Sequence, residues 1–592
     1  MPAHPVPKPS PASPLHYRIE PANLHAHLFR ITLTIPRPAA GQEVALPVWI
    51  PGSYLVREFA KNLQKLTARQ GRQPVALRQL DKARWRTDCT DRQALVLEYE
   101  VYALDNSVRT AWLDADRGFF NGTSLCLQVV GQEHQPHELT LVSTRATRGW
   151  KVATGLAAVE VDVRGFGRYR AADYDSLVDH PFELGTFWSG AFTACGVPHR
   201  FVVAGALPSF DGEKLLADTR KICEAEIRFW HLRGKPPHKQ YVFMLNAVDD
   251  GYGGLEHRNS TALICARRDL PRLEDKRPNE GYTTLLGLIS HEYFHTWNVK
   301  RLRPAAFAEF DYSQENYTHQ LWFFEGFTSY YDDLLLRRAG LIDDATYLRL
   351  LNKTINQVQQ TPGRLVQTVA QSSFDAWVKY YRQDENTPNA TVSYYTKGAL
   401  VALCLDLTLR REGHTTLDVV MRALFLRCKG GPMREQDLRE VLQALAGRSF
   451  DAELDQWVHS TDELPLQALL EHHGVAVHDD PAQLAQRLGL RVAEANGINV
   501  KAVLRGGAAE QAGFCANDEW LGVEVGGTQW RLHKLDELTL VAGPERQMWA
   551  WVARDKRMLR LPLTLPQDVR TWRLAVRDAA VLGAWLAPAA VR

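Results

Sequence analysis

His291 and His295 are four residues apart with Glu292 beside the first of them, in the run His291-Glu292-Tyr293-Phe294-His295. On a helix, residues four apart share a face one turn apart, so both imidazoles can bind one ion. A carboxylate next to the first can then reach a water at that ion and act as a general base. The residues before the pair, Leu285, Leu286, Leu288 and Ile289, make the predicted helix apolar nearly all round and therefore buried. Burying histidines without partners is costly, and a metal satisfies them. The competing reading is two surface histidines on an ordinary helix.

A catalytic zinc normally takes three protein ligands, so a third is needed. Glu325 lies in the apolar stretch Leu321-Trp322-Phe323-Phe324-Glu325-Gly326-Phe327, where a carboxylate needs either a metal or a basic partner. We expect one zinc on His291, His295 and Glu325, with Glu292 taking a proton from water and passing it to a leaving amine. Ser393-Tyr394-Tyr395-Thr396-Lys397-Gly398 opens a further helix and offers two phenols as oxyanion donors; periodicity does not choose between them. The charged run Lys300-Arg301-Leu302-Arg303-Pro304 could contact substrate, but a solvated face or a structural element is the favoured reading.

The elements that must position these groups change along the chain. Residues 1–14 read as a disordered Pro-rich leader. Residues 15–205 alternate apolar and polar residues in short runs such as His27–Thr34 and Ala94–Val101, separated by turn clusters, and predict an all-β domain. From 206 to 478 we expect the catalytic domain. It has a helix near 215–232, a strand at Gln240–Leu245, the Gly-rich loop 249–254, a strand at Leu255–Ala266, then the metal helix and further helices. Residues 479–566 form a last β-rich module and 567–592 a surface-packing tail. The fold class expected is multidomain α+β.

Lysine plus arginine number 70 against 68 aspartate plus glutamate, a balance that argues for neither nucleic acid nor an anionic membrane as partner. No apolar window is long enough to span a bilayer. Eight cysteines without CxxC spacing read as reduced core thiols, which points to the cytoplasm.

Several stretches together resemble the glycyl aminopeptidase family of the gluzincin clan, zinc peptidases with a C-terminal PDZ domain. They are Val48–Glu58, Gly118–Ser124, Gly253-Gly254-Leu255-Glu256-His257, His291–Pro304 and Glu325–Tyr331. The resemblance implies a thermolysin-like catalytic domain and assigns roles that spacing does not. Tyr395 would stabilise the oxyanion, with Tyr394 as the alternative. Glu256 would hold the substrate's free α-amine, and the backbone at Gly253 and Gly254 would pair with the peptide. Leu255 and His257 stand where the related motif has Met and Asn. The expected activity is removal of small N-terminal residues, Gly and Ala foremost, from peptides with a free N-terminus. The Leu488-Gly489-Leu490 turn marks a PDZ-like module that would bind a peptide end or pack as a cap. Two other readings compete: an endopeptidase on the same zinc site, for which a blocked N-terminus would be no obstacle, and an inactive peptide-binding scaffold.

Overall fold

The computed structural model describes residues 13–275 and 279–589. All but the last two positions of the expected leader lie outside these. The chain divides into two compact units, Met1–Asn316 and Tyr317–Arg592.

The first unit opens with an eight-stranded sheet whose middle strands are Leu15–Asn23, Leu28–Ile35 and Leu95–Tyr102. Strict alternation decides which face is inside: in Leu28–Ile35, Phe29, Ile31, Leu33 and Ile35 are fully buried. Three buried tyrosines, Tyr17, Tyr99 and Tyr174, donate to the carbonyls of Leu127, Leu125 and Cys126 at 2.6–2.7 Å, which holds an irregular buried segment in place.

A five-stranded mixed sheet follows, in the order Trp188–Ala194, Val197–Ala204, Tyr241–Val248, Ser260–Ala266 and Tyr252–Glu256. The expected single strand Leu255–Ala266 is instead a hairpin. His257-Arg258-Asn259 breaks the run, and Tyr252–Glu256 folds back antiparallel as the edge strand, with Glu256 opposite Thr261. Leu255 points into the core of the N-terminal sheets, so Gly254 and Glu256 face the other way. Helices Gly212–His231 and Glu280–Phe294 pack together beneath this sheet. Asn279 caps the second, its side chain accepting from Tyr282 N at 2.6 Å.

In the second unit, Leu321–Phe324 runs through Glu325 into Gly326–Arg338, and this helix crosses Thr396–Glu412. The crossing is close because both contact positions are glycine. A Cβ on Gly326 would fall 2.5 Å from the Gly398 backbone, and one on Gly398 would fall 2.5 Å from Trp322 O. A C-terminal β-module has its own core around Phe514, Trp520, Leu538 and Val552, on a sheet running from Leu490–Ala493 to Arg557–Thr564. Beyond it, Arg570–Val576 pairs antiparallel with Val475–Pro481, and the helix Ala579–Leu586 buries Trp585. None of the eight cysteines is in a disulfide. No helix among the described residues is long and apolar enough to cross a membrane.

Candidate active site

The expected site residues fall in both units. In the first, the helix Glu280–Phe294 and its C-cap bring His291 Nε2 and His295 Nε2 to 3.1 Å from each other. His295 Nδ1 lies 2.7 Å from the Asn298 carbonyl; a carbonyl only accepts, so the proton sits on Nδ1 and the Nε2 lone pair points at the shared position. His295 is 1 % exposed. Two imidazole nitrogens facing each other at this range, one with its tautomer set from outside, suit a shared cation, and the donor set fits zinc.

Glu292 is buried and lies against the edge strand. A Cβ at Gly254 would stand 2.0 Å from Glu292 Oε1, so only glycine lets the carboxylate reach this strand. Glu256, 4 % exposed, points to the same strand face two residues on, roughly 7 Å along the chain. Its carboxylate rests on the Pro51-Gly52 turn, where a Cβ at Gly52 (φ +89°) would fall 2.5 Å from Glu256 Oε2. Arg109 Nη2 donates to Gly254 O at 3.0 Å and fixes the strand from the N-terminal side.

The hairpin turn is tied down by Asp179, which accepts from Arg258 N (3.1 Å) and lies 3.3 Å from His257 Nδ1 and 2.7 Å from Lys300 Nζ. Burial alone would raise the Asp179 carboxyl; Lys300, then His257, outweighs it and holds the group well below the usual carboxylate range. Burial conversely lowers His257. Lys300 reaches inward from the turn after the helix Glu280–Phe294, where Val299 holds φ +132°, a region β-branched residues avoid. The solvated reading of the run Lys300–Arg303 is therefore wrong for Lys300, which is 7 % exposed, and for Arg301, which donates to the Thr296 carbonyl at 2.6 Å.

In the second unit, Glu325 is 2 % exposed and sits at the Gly326/Gly398 crossing. The same crossing brings it up to the tyrosines that precede the helix. Burial, and next the Glu325 carboxylate, push the Tyr395 phenol well above its ordinary value, so it keeps its proton. Tyr395 is half-buried, whereas Tyr394 is wholly buried. Tyr380 packs at a tilt against both, its ring 4.9 Å from that of Tyr394 and 5.5 Å from that of Tyr395, and it too is raised by burial and by Glu325. Leu488 and Leu490 are core side chains of the C-terminal module. Gly489 (φ +70°) closes their turn, its N–H donating to Gln486 O and its carbonyl accepting from Leu504 N.

Sequence reasoning missed Gly52, Arg109, Asp179 and Tyr380 as site neighbours. Gly52 stood inside a stretch singled out for its family likeness; Arg109, Asp179 and Tyr380 carry no local pattern and are found only through the fold.

A family model described as the Peptidase M61 N-terminal domain matches residues 16–186, and one described as M61 glycyl aminopeptidase matches residues 284–401. The crystal structure of an aminopeptidase N family protein from Idiomarina loihiensis is 37% identical, with 97% of this chain and 100% of that chain covered and a TM-score of 0.92. An M1 zinc metallopeptidase from Deinococcus radiodurans is 16% identical over 76% of this chain and 94% of its own, at a TM-score of 0.47. Among curated proteins nothing matches. The fold and the histidine–glutamate helix are those of a peptidase of the aminopeptidase type. The chain belongs to the M61 glycyl aminopeptidase family.

Proposed function

We propose that the chain removes small residues, Gly and Ala foremost, from the free N-terminus of peptides. The observation that carries this is the placing of two buried carboxylates on one face of the edge strand. Glu292 lies beside the histidine pair and Glu256 lies two residues along from Gly254. A carboxylate roughly 7 Å along the strand from the position the base reaches suits the ammonium of a substrate whose first peptide bond is at the base. The edge strand Tyr252–Glu256 pairs, among the described residues, only with Ser260–Ala266, so a peptide backbone would pair at its outer edge at Gly253 and Gly254, beside the Arg109 that donates to Gly254 O. The preference for Gly rests on the family's description, and Ala is included on the family resemblance.

His291, His295 and Glu325 are the proposed ligands of one zinc per chain. Zinc, when bound, polarises the scissile carbonyl and acidifies water. Glu256 holds the α-amine and so selects the first peptide bond. Glu292 accepts the proton of the attacking water and delivers it to the departing amine. Tyr395 is the oxyanion donor in preference to Tyr394: its side chain is only partly buried, while Tyr394 is enclosed. We read the C-terminal module as PDZ-like, with Leu488-Gly489-Leu490 leading into Leu490–Ala493, which pairs on one side only among the described residues and can take up a peptide end. The eight unpaired cysteines fit a reducing compartment, and we place the chain in the cytoplasm.

The test combines metal analysis with hydrolysis of glycyl, alanyl and leucyl peptides, each with the amine free and then acetylated. One zinc per chain and cleavage of free-amine glycyl and alanyl peptides only is the expected result. Equal cleavage of the acetylated peptides would make the chain an endopeptidase. Glu256→Gln should raise KM for free-amine substrates far more than it changes zinc content, and an unchanged KM would remove Glu256 as the amine anchor.

A further inference from the structure

Within the second unit, an open cleft of about 1160 Å³ lies between the helix Asp344–Gln359, with the turn Pro362–Leu365 after it, and the C-terminal β-module. Its charged lining is of one sign. Lys353, Arg364, Arg487, Arg491, Arg505 and Arg570 line it and no carboxylate does, in a chain whose formal net charge is only +2. Arg364 is offset by Glu463 at 3.0 Å, and Arg487 donates to the Pro566 carbonyl. Lys353, Arg491, Arg505 and Arg570 form no ion pair among the described residues. Glu510, just outside, is engaged by Gly506 N at 2.7 Å. The walls are clamped at both ends. Asn389 donates to Val503 O at 2.9 Å and accepts from Arg505 N at 2.8 Å, and Asn356 does the same with Trp572 O and N at 2.8 and 3.0 Å. The cleft is thus pre-formed, which lowers the cost of binding.

We propose that this cleft binds an acidic peptide segment. Four cations without carboxylate partners along one walled surface make a site for several negative charges in a row. Gln357, Gln486 and Gln511 add side-chain amides that can donate to and accept from a peptide backbone. No aromatic ring lines the cleft, so it lacks the stacking platform by which single-stranded nucleic acids are held. The volume takes a short run of residues rather than a single ion.

The test uses the full-length, zinc-loaded chain and a fluorescent hexaglutamate peptide blocked at both ends. With neither terminus free, this probe cannot report the amine anchor or the capture of a terminal carboxylate at the Leu488-Gly489-Leu490 turn, of which Gly489 and Leu490 line one end of the same cleft. Fluorescence anisotropy should show saturable binding that weakens with added salt, and hexaglutamine of the same design should not bind. Arg505→Glu with Arg570→Glu should weaken binding by at least about tenfold. The same double variant should leave cleavage of a short neutral free-amine peptide unchanged. Arg505→Gln with Arg570→Gln supplies the same reading if charge reversal impairs folding. Arg92→Glu, on the exposed surface of the other unit, should have no effect. Failure of hexaglutamate to bind, or an equal loss with Arg92→Glu, would overturn the proposal. So would a single-stranded oligonucleotide that binds more tightly with the same dependence on Arg505 and Arg570.

Discussion

Glu292 and Tyr395 are assigned to different moments of one reaction, and substitution separates them. Glu292→Gln keeps the shape and the contact with Gly254 but cannot accept a proton. Turnover should fall by roughly 10²–10⁴-fold with zinc content unchanged, read by steady-state kinetics beside metal analysis. Full activity in this variant would move the base elsewhere. Tyr395→Phe removes a donor whose phenol is kept protonated by burial and by Glu325. Here kcat should fall about 10²–10³-fold with KM and zinc little changed. Tyr394→Phe, at a fully enclosed ring, should leave kcat near the parent value. A reversal of the two results would exchange the two tyrosines.

At the level of elements, the site depends on how closely backbones approach, and this can be tested at one atom. Gly254→Ala would put a methyl group 2.0 Å from Glu292 Oε1. The carboxylate must swing away, and a displacement of about 1 Å at a catalytic group costs on the order of 10²-fold. The expected outcome is a folded, zinc-loaded chain with low kcat; normal kcat would mean that Glu292 works from another position. The Asp179 tie holds the same hairpin from its turn. Its carboxyl is depressed in the folded chain, so its contribution to stability is present above the unfolded value near pH 4 and lost as pH falls through the lower folded value. Asp179→Asn leaves Lys300 buried without its counter-charge and should cost about 3–5 kcal/mol at neutral pH. Denaturant melts should show the gap to the parent chain closing as pH drops below about 4. A gap independent of pH would show that the loss is one of packing.

These elements also show what could be read in advance. The metal helix, the helix bearing Glu325 and the β-rich start were legible because each carries its own period and turn residues. The hairpin Tyr252–Ala266 was read as a single strand from Leu255 because His257-Arg258-Asn259 lacks Gly or Pro, and its turn is held by Asp179, nearly eighty residues away in sequence. The inward Lys300 was invisible for the same reason. A charge run looks solvated until a distant carboxylate is brought beneath it.

For the whole molecule, zinc is expected to serve chemistry rather than folding. Metal-dependent small domains unfold without their ion because their apolar cores are too small to hold them together. Here the N-terminal sheets have an extensive core of buried aliphatic and aromatic side chains, and the C-terminal module has another. In addition, the helix that carries the histidines is apolar on nearly every side, with Leu285, Leu286, Ile289, Tyr293 and Phe294 all buried. Its burial does not depend on the ion. Removing zinc with a chelator should therefore abolish hydrolysis while the far-ultraviolet circular dichroism stays that of the folded chain. The melting temperature should still fall, because an ion that binds only the folded state adds about 4 kcal/mol when present at a thousand times its dissociation constant. Adding zinc back should restore both activity and melting temperature. Collapse of the helical signal on chelation would mean that the cluster of His291 and His295 holds the helix in place, and that the apolar packing around it is insufficient.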